Sequence, residues 1–537
     1  MTPTQQRLTP LLALALLLSA CGQGELQTLS DTAVTFHRGN AAEPDTLDPH
    51  RNEEDSGSGI LRDLFEGLVT EDIDLNIIPG VATSWEVSDD GLRYTFELRE
   101  DARWSNGDPI TAHDFVAGIR RAVSPATAST YAELLRPIRN AAAVIRSEVA
   151  PEQLAVTATS DTQLVIELEN PTPYFVQLLA MPTTFPIHAQ SYAEHGEAFS
   201  RPGNLISNGA YQLTEWVVNS HIRLDRNVHY HDAENVQIEV VYYHNTEDRD
   251  AELRRYRAGE LDYTFEIPNS QFDWINENLP GELHISPRLS VYFYGFDVTE
   301  PPFDDVRLRQ ALTMALDRNI ITEQVNGIGE LPAFGLVPPG IAGYDGQRYD
   351  WAALNDEARL AEARRLYAAA GYSQENPLRT EIRYNTSENH RRIAVAVASM
   401  WKSALGVEAE VVNQEWKVML QDRLNPALWE IMRYGWVADY SDPYTFLEIF
   451  NSSHGQNFSG FDNARFDELL REAAQQSDAG ARIDTLAAAE RELLDSYPIV
   501  PIYFYVNKHL AKPHVVGYRP NALNHDRTQY YRIERQH

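Results

Sequence analysis

Apolar and polar positions change rhythm many times along this chain. Residues 94–99 (Tyr-Thr-Phe-Glu-Leu-Arg) alternate with a period of two, which predicts a strand with one covered face. Residues 163–169 alternate likewise and stop at Asn170-Pro171, and 238–243 predict another strand. Residues 111–121 carry a helical spacing, with Thr111 as cap and Asp114 at the third helical position. The same spacing runs over 306–325, over 355–370 up to Gly371, and over 390–405 up to Gly406. A strand over 407–412 follows directly. Two late helices, 466–474 and 481–494, precede an apolar strand over 499–506, whose pattern predicts burial. Strands and helices are interspersed throughout, so the class is mixed α/β. Pro-Pro pairs at 301–302 and 338–339 mark sharp loops. No Gly/Ser-rich or Pro-rich linker divides the chain, so its lobes are expected to share short crossings.

The amino end follows a different pattern. Its first twenty residues hold one charge, Arg7, then an apolar run over 11–18. That run is too short to span a bilayer but suits the core of a secretory signal. Leu18-Ser19-Ala20-Cys21 resembles a bacterial lipobox, which implies cleavage before Cys21 and lipid on that residue. Residues 1–20 are then a signal peptide and 21–33 a polar tether, the only membrane attachment expected. Composition narrows the picture further. A balance of 45 basic and 78 acidic residues gives −33, against binding nucleic acid or anionic lipid through a basic patch. One cysteine excludes an intrachain disulfide framework and Cys-rich metal sites.

Catalytic signatures are missing: no His-Glu-x-x-His, no Gly-x-Ser-x-Gly, no phosphate loop and no dinucleotide fingerprint. His229-Tyr230-His231-Asp232 offers two histidines without an evident third ligand, and reads as a strand end or loop. A Ser-His-Asp set is made in space and not in order, so a secreted hydrolase stays open as an alternative. No metal or cofactor is expected.

Several strings occur in a fixed order. They begin with Glu43-Pro44-Asp45-Thr46-Leu47-Asp48-Pro49, Asp63-Leu64-Phe65-Glu66-Gly67-Leu68 and Pro79-Gly80-Val81-Ala82-Thr83-Ser84-Trp85. Arg103-Trp104-Ser105-Asn106-Gly107, Asn208-Gly209-Ala210-Tyr211 and Pro301-Pro302-Phe303-Asp304-Asp305-Val306-Arg307 continue the series. Tyr384-Asn385-Thr386-Ser387, Val412-Asn413-Gln414-Glu415-Trp416-Lys417, Arg433-Tyr434-Gly435-Trp436-Val437-Ala438-Asp439-Tyr440 and Val500-Pro501-Ile502-Tyr503-Phe504-Tyr505 complete it. From about residue 34 onward the chain thereby resembles the extracellular solute-binding proteins of family 5, the peptide-binding components of ABC importers.

That resemblance implies two lobes of a periplasmic-binding-protein-like fold (the large type II cluster), an additional third domain, and a ligand cleft between lobes. The first lobe would combine 34–66, 190–290 and 508–537, with 67–189 the additional domain and 291–507 the second lobe. The function implied is capture of oligopeptides by an extracytoplasmic monomer, with delivery to a permease and its ATPase. Other ligands on the same fold, such as murein or antimicrobial peptides, dipeptides, haem or a metal chelate, are the alternatives. By the same resemblance, Asp439 pairs with the peptide ammonium and Glu53 lies nearby. Arg433, Arg423 and His390 meet the terminal carboxylate of peptides of different lengths. Trp416, Trp436, Tyr131 and Tyr505 line the cleft, and Gly435 lies on the strand that pairs with the peptide.

The physics of a sequence-tolerant peptide binder agrees with these roles. It must use groups that every peptide has: the main chain, one ammonium and one carboxylate. Strand addition serves the first, a carboxylate in a dry cleft the second, and the arginine fork the third. Aromatic walls adapt to varied side chains. Three departures stand out. Asn326 replaces a lysine used by some relatives for longer peptides. Ser290 and Val437 occupy the positions of a disulfide in relatives. Glu54 and Asp55 add acidity, which suggests a preference for basic side chains at the amino end.

Overall fold

The computed structural model describes residues 33–534 except 424, 426–427 and 477, and not the side chains of Trp416 and Lys417. The signal core, Cys21 and the Trp416 ring therefore lie outside the described residues.

Two sheets share one apolar core in the amino-terminal half. The first runs Thr35–Gly39, Val240–His244, His221–Arg226, Tyr211–Val217, with only the first pair parallel. The second is antiparallel, in the order Ala82–Val87, Arg93–Leu98, Gln163–Glu167, Val156–Ser160. Phe36, Leu61, Phe96, Phe115, Phe185, Tyr211 and Tyr243 belong to a single continuous cluster. The helix Ala112–Val123 packs here and starts as its sequence predicts, with the Thr111 N–H donating to Asp114 at 2.8 Å.

The second half is built on a six-stranded sheet. Its order is Leu331–Pro332, Ile499–Leu510, Leu283–Phe296, Ile431–Val437, Arg379–Asn385, Glu408–Gln414. Successive residues of Leu283–Phe296 enter opposite cores, as a pleated strand requires. Tyr292 and Tyr294 join Ile382, Trp401 and Tyr503 on one face. Val291 and Phe293 join Phe446, Leu470 and Leu486 on the other. Because residues 289–296 are buried on both sides, this longest strand shows no alternation in its sequence.

Leu283–Phe296 and Ile499–Leu510 also connect the two halves. They pair from Gly295↔Ile499 to Leu283↔Leu510, with a register shift between Pro287 and Val291. Beyond that shift, Leu283 and Leu510 pack into a small separate cluster with Leu253, Tyr256 and Ile275. A two-stranded ribbon thus leaves one lobe and enters the other.

Two sequence expectations need correction. Residues 306–325 do not form one helix: Val306–Met314 ends, and a wider helical turn, Ile320–Asn326, begins after it. The break turns Arg318 inward, where its Nε donates to the Pro501 carbonyl at 2.8 Å beneath Phe334 and Trp351. Asp317 accepts from the Ile320 N–H at 3.1 Å and restarts the helix. The strand expected over 499–506 runs on to Leu510, since its second half forms the ribbon. Elsewhere the expected breaks occur: Gly371 and Gly406 take φ of 95° and 84° after their helices.

Ser290 and Val437 stand directly opposite each other across antiparallel strands. The neighbouring Ala438 N–H donates to the Leu289 carbonyl, so 290/437 is a non-hydrogen-bonded pair, with Cα atoms about 4.5 Å apart in such pairs. That separation suits a disulfide. The double variant S290C/V437C is expected to oxidise and to gain about 2–4 kcal/mol. Urea unfolding with and without reductant checks this; a midpoint indifferent to reductant would contradict the register.

Candidate functional site

The strand Ile431–Val437 has one satisfied edge and one open edge. Leu283–Phe296 pairs with it along its whole length, whereas Arg379–Asn385 pairs only with Ile431 and Met432. Beyond Met432 that outer edge has no strand partner among the described residues. Ala438 donates inward to Leu289, so alternation turns the backbone of Arg433, Gly435 and Val437 outward. A side chain at 435 would bring its Cβ within 3.2 Å of the Val291 carbonyl and 3.3 Å of the Arg433 guanidinium. Glycine keeps that stretch clear.

Past the end of this strand Asp439 enters a cleft of about 870 Å³, walled on its far side by Tyr131, Met181, Asp55 and Arg62 from the amino-terminal half. Its carboxylate has no cation partner among the described residues. Burial pushes its pKa up to about 7, and only the Thr445 hydroxyl, 3.5 Å away, pulls it back. Tyr131 faces Asp439, Asp55 and Glu53, whose charges add to burial in raising its phenol. Glu53 itself is exposed at the rim.

The two faces of the strand carry different chemistry. On one, Arg433 donates to the Tyr505 hydroxyl at 2.8 Å and to Asn385 at 3.5 Å, and lies 4.8 Å from the centre of the Tyr292 ring. None of these partners is a carboxylate. His390 sits against Tyr292 with Nδ1 unbonded among the described residues, and burial, with Arg433 nearby, lowers its pKa to about 3. The imidazole is therefore neutral and leaves Arg433 as the cation. Asp439 and Arg433 lie six residues apart, roughly 20 Å of extended strand.

On the other face Trp436, Tyr434, Phe293, Phe450 and Phe458 surround a pocket of about 440 Å³. Arg423 lines it, stacked 4.3 Å from the centre of the Phe458 ring. The structure thus brings Asp439 and Tyr131 together, joins Arg433, His390 and Tyr505, and sets Arg423 apart with Trp436. Gly435 divides the two faces.

Thr445 escaped the sequence reading. It is buried, and its hydroxyl accepts from the Trp436 indole at 3.3 Å and the Asp439 N–H at 3.5 Å. Only the short polar run 439–445 hinted at such a turn. Tyr230 and His231 donate to the same buried Glu66, at 2.7 and 2.8 Å, while His229 is exposed and its backbone N–H donates to Asn227 at 3.0 Å. Asn326 is buried with both amide atoms unbonded among the described residues.

The isosteric variant T445V is expected to cost about 1–3 kcal/mol by stranding the Trp436 and Asp439 groups, measured by urea unfolding. Asp439 should then titrate still higher, because the hydroxyl bond that lowers it is gone. An unchanged titration followed by NMR would show that Thr445 is not its support.

Residues 76–458 match the family model described as "Bacterial extracellular solute-binding proteins, family 5 Middle". The periplasmic murein peptide-binding protein MppA of Escherichia coli is 40% identical over 493 residues, 91% of each chain. The periplasmic oligopeptide-binding protein OppA of the same organism is 39% identical, covering 90% of this chain and 89% of its own. Among solved structures, that of E. coli MppA superposes with a TM-score of 0.84 at 38% identity, over 94% of this chain and 99% of the other. Haemophilus influenzae OppA in complex with RPPGFSPFR gives 0.81 at 36%, over 94% and 99%.

Proposed function

The chain belongs to family 5 of the bacterial extracellular solute-binding proteins, and we propose that it captures oligopeptides between its lobes for a membrane permease. The observation that carries this reading is the open edge at Arg433, Gly435 and Val437, with a carboxylate at one end and a guanidinium at the other that have no partner of opposite charge among the described residues. A peptide laid antiparallel on that edge places its ammonium at Asp439 and its far end near Arg433. Main-chain hydrogen bonds hold any sequence in this way. Asp439 fixes the register, since an ammonium in a poorly solvated cleft needs its charge partner. His390 and Arg423 offer further stops for a carboxylate at other lengths. Closure of the lobes is a population shift driven by contacts made only when both walls touch the ligand.

Murein peptides are the second reading, carried by the 40% identity to a protein named for binding them. They would use the same edge and the same carboxylate. Relatives named as periplasmic place the protein outside the cytoplasm under this reading. Lipidation at Cys21 would tether it to the membrane, and the permease with its ATPase would be the partner. The Leu18-Ser19-Ala20-Cys21 string supports that anchor. In cells fed labelled palmitate, the native chain is expected to take up label and C21S to lose it; equal labelling would remove the anchor from the reading.

Peptide affinity should depend on pH with a worked sign. Asp439 binds an ammonium only when ionised, and its pKa in the empty cleft is about 7. Affinity therefore falls toward about tenfold per pH unit below 7. It falls again above about 8, where the peptide amine loses its proton. Calorimetry of a neutral tripeptide against pH should give this bell. D439N should lose about 2–5 kcal/mol at the optimum and its acid limb with it. A flat profile, or wild-type affinity in D439N, would remove Asp439 from the ammonium site.

A further inference from the structure

The cleft holds more cationic donors than peptide termini require. Behind Asp439 the cavity is lined on the first lobe by Arg38 and Arg62, only 5% and 6% exposed. Arg38 comes from the strand Thr35–Gly39, and its guanidinium lies 4.9 and 5.0 Å from the centres of the Tyr243 and Tyr263 rings. One nitrogen reaches Asp526 at 3.3 Å; Nε and Nη1 find no acceptor among the described residues. Arg62, on the helix Asp55–Leu64, gives Nη2 to His525 Nε2 at 2.7 Å, and its Nε is likewise unbonded. Because His525 accepts at Nε2, it donates from Nδ1 to Glu71, at 2.7 Å. Arg62 therefore reaches that carboxylate only through the ring.

Apart from Asp439, the acids around this cavity are already engaged. Asp55 pairs with Arg288 at 2.9 Å. Asp526 accepts from the Tyr263 and Tyr531 hydroxyls at 2.8 and 3.1 Å as well as from Arg38. Glu54, outside the cavity lining, accepts from the Asp45 N–H at 3.2 Å. The two acids that suggested a preference for basic side chains thus each have a partner within the protein. What remains are buried N–H donors on two guanidiniums, and buried donors are stabilised by an acceptor.

We propose that this cavity is an anion site that receives the side-chain carboxylate of a peptide's first residue, so that peptides beginning with aspartate or glutamate are preferred. The inference rests on the peptide reading above. Ammonium and side chain leave the same first Cα, so one residue presents its ammonium to Asp439 and its carboxylate to Arg38 and Arg62. A carboxylate offers about four acceptor positions, which suits two guanidiniums that line one cavity. Arginine is the cation best shaped to meet it. A small anion such as chloride has the same chemistry and would compete for the site.

The test is calorimetry of the full chain with Glu-Ala-Ala, Gln-Ala-Ala and Lys-Ala-Ala, in chloride-free buffer and with chloride added. Glu-Ala-Ala is expected to bind about tenfold tighter than Gln-Ala-Ala, with Lys-Ala-Ala weakest. Chloride should shrink that advantage, and R62Q should bring the Glu-to-Gln ratio close to one. Equal affinities, or lysine first, would overturn the inference and leave peptide binding intact. Wild-type discrimination in a folded R62Q would remove Arg62 from it. Binding of none of the three would overturn the peptide reading itself. Should R62Q fail to fold by thermal melting, the wild-type ratio and its chloride dependence decide alone.

Discussion

Backbone N–H and C=O groups that face a cleft need partners, and at Arg433, Gly435 and Val437 no strand among the described residues supplies them. The rest of the site is arranged around that edge. Arg379–Asn385 diverges after two residue pairs and leaves it bare. Leu283–Phe296 holds the other edge firmly, so the open one is presented without flexing. Glycine at 435 keeps side-chain bulk away from the middle of the run. Water can satisfy such groups in the open cleft, but a closed cleft excludes water, and only another backbone then fits.

Electrostatics adds direction to a feature that has none of its own. A bare strand edge binds an extended chain in either sense. Asp439 at one end and Arg433 near the other remove that ambiguity, because the reversed peptide would set like charges against each other. His390 stays neutral, so Arg433 carries the full positive charge at that end and the imidazole can meet a carboxylate only as an N–H donor. The −33 charge of the chain takes little part in this, being spread over surface where salt screens it.

Much of the fold was legible in the sequence where one face of an element meets water. Arg93–Leu98, Ala112–Val123 and Glu388–Leu405 each lie within a few residues of their expected place, because half-buried elements write their period into the chain. Leu283–Phe296 was not legible, since burial on both faces erases that period. The split of residues 306–325 was hidden for another reason: Arg318 reads as a surface cation but serves as a buried donor to carbonyls. At the site, the strings around Asp439 and Arg433 singled out, by resemblance, the strand whose outer edge the fold leaves open. Thr445, Arg38 and Arg62 were invisible, because their partners are 6 to more than 400 residues away and only folding brings them together.

The ribbon of Leu283–Phe296 and Ile499–Leu510 has a mechanical consequence. Its two strands lie side by side, about 4.8 Å apart, tied by hydrogen bonds in the plane of the sheet. Such a band is stiff within its plane and compliant across its thickness. The interruption between Pro287 and Val291 is its weakest point. Motion of one lobe against the other is thereby confined mainly to a single bending coordinate, with sideways sliding resisted. Bending along that one coordinate would keep Asp439 facing the wall that carries Arg62.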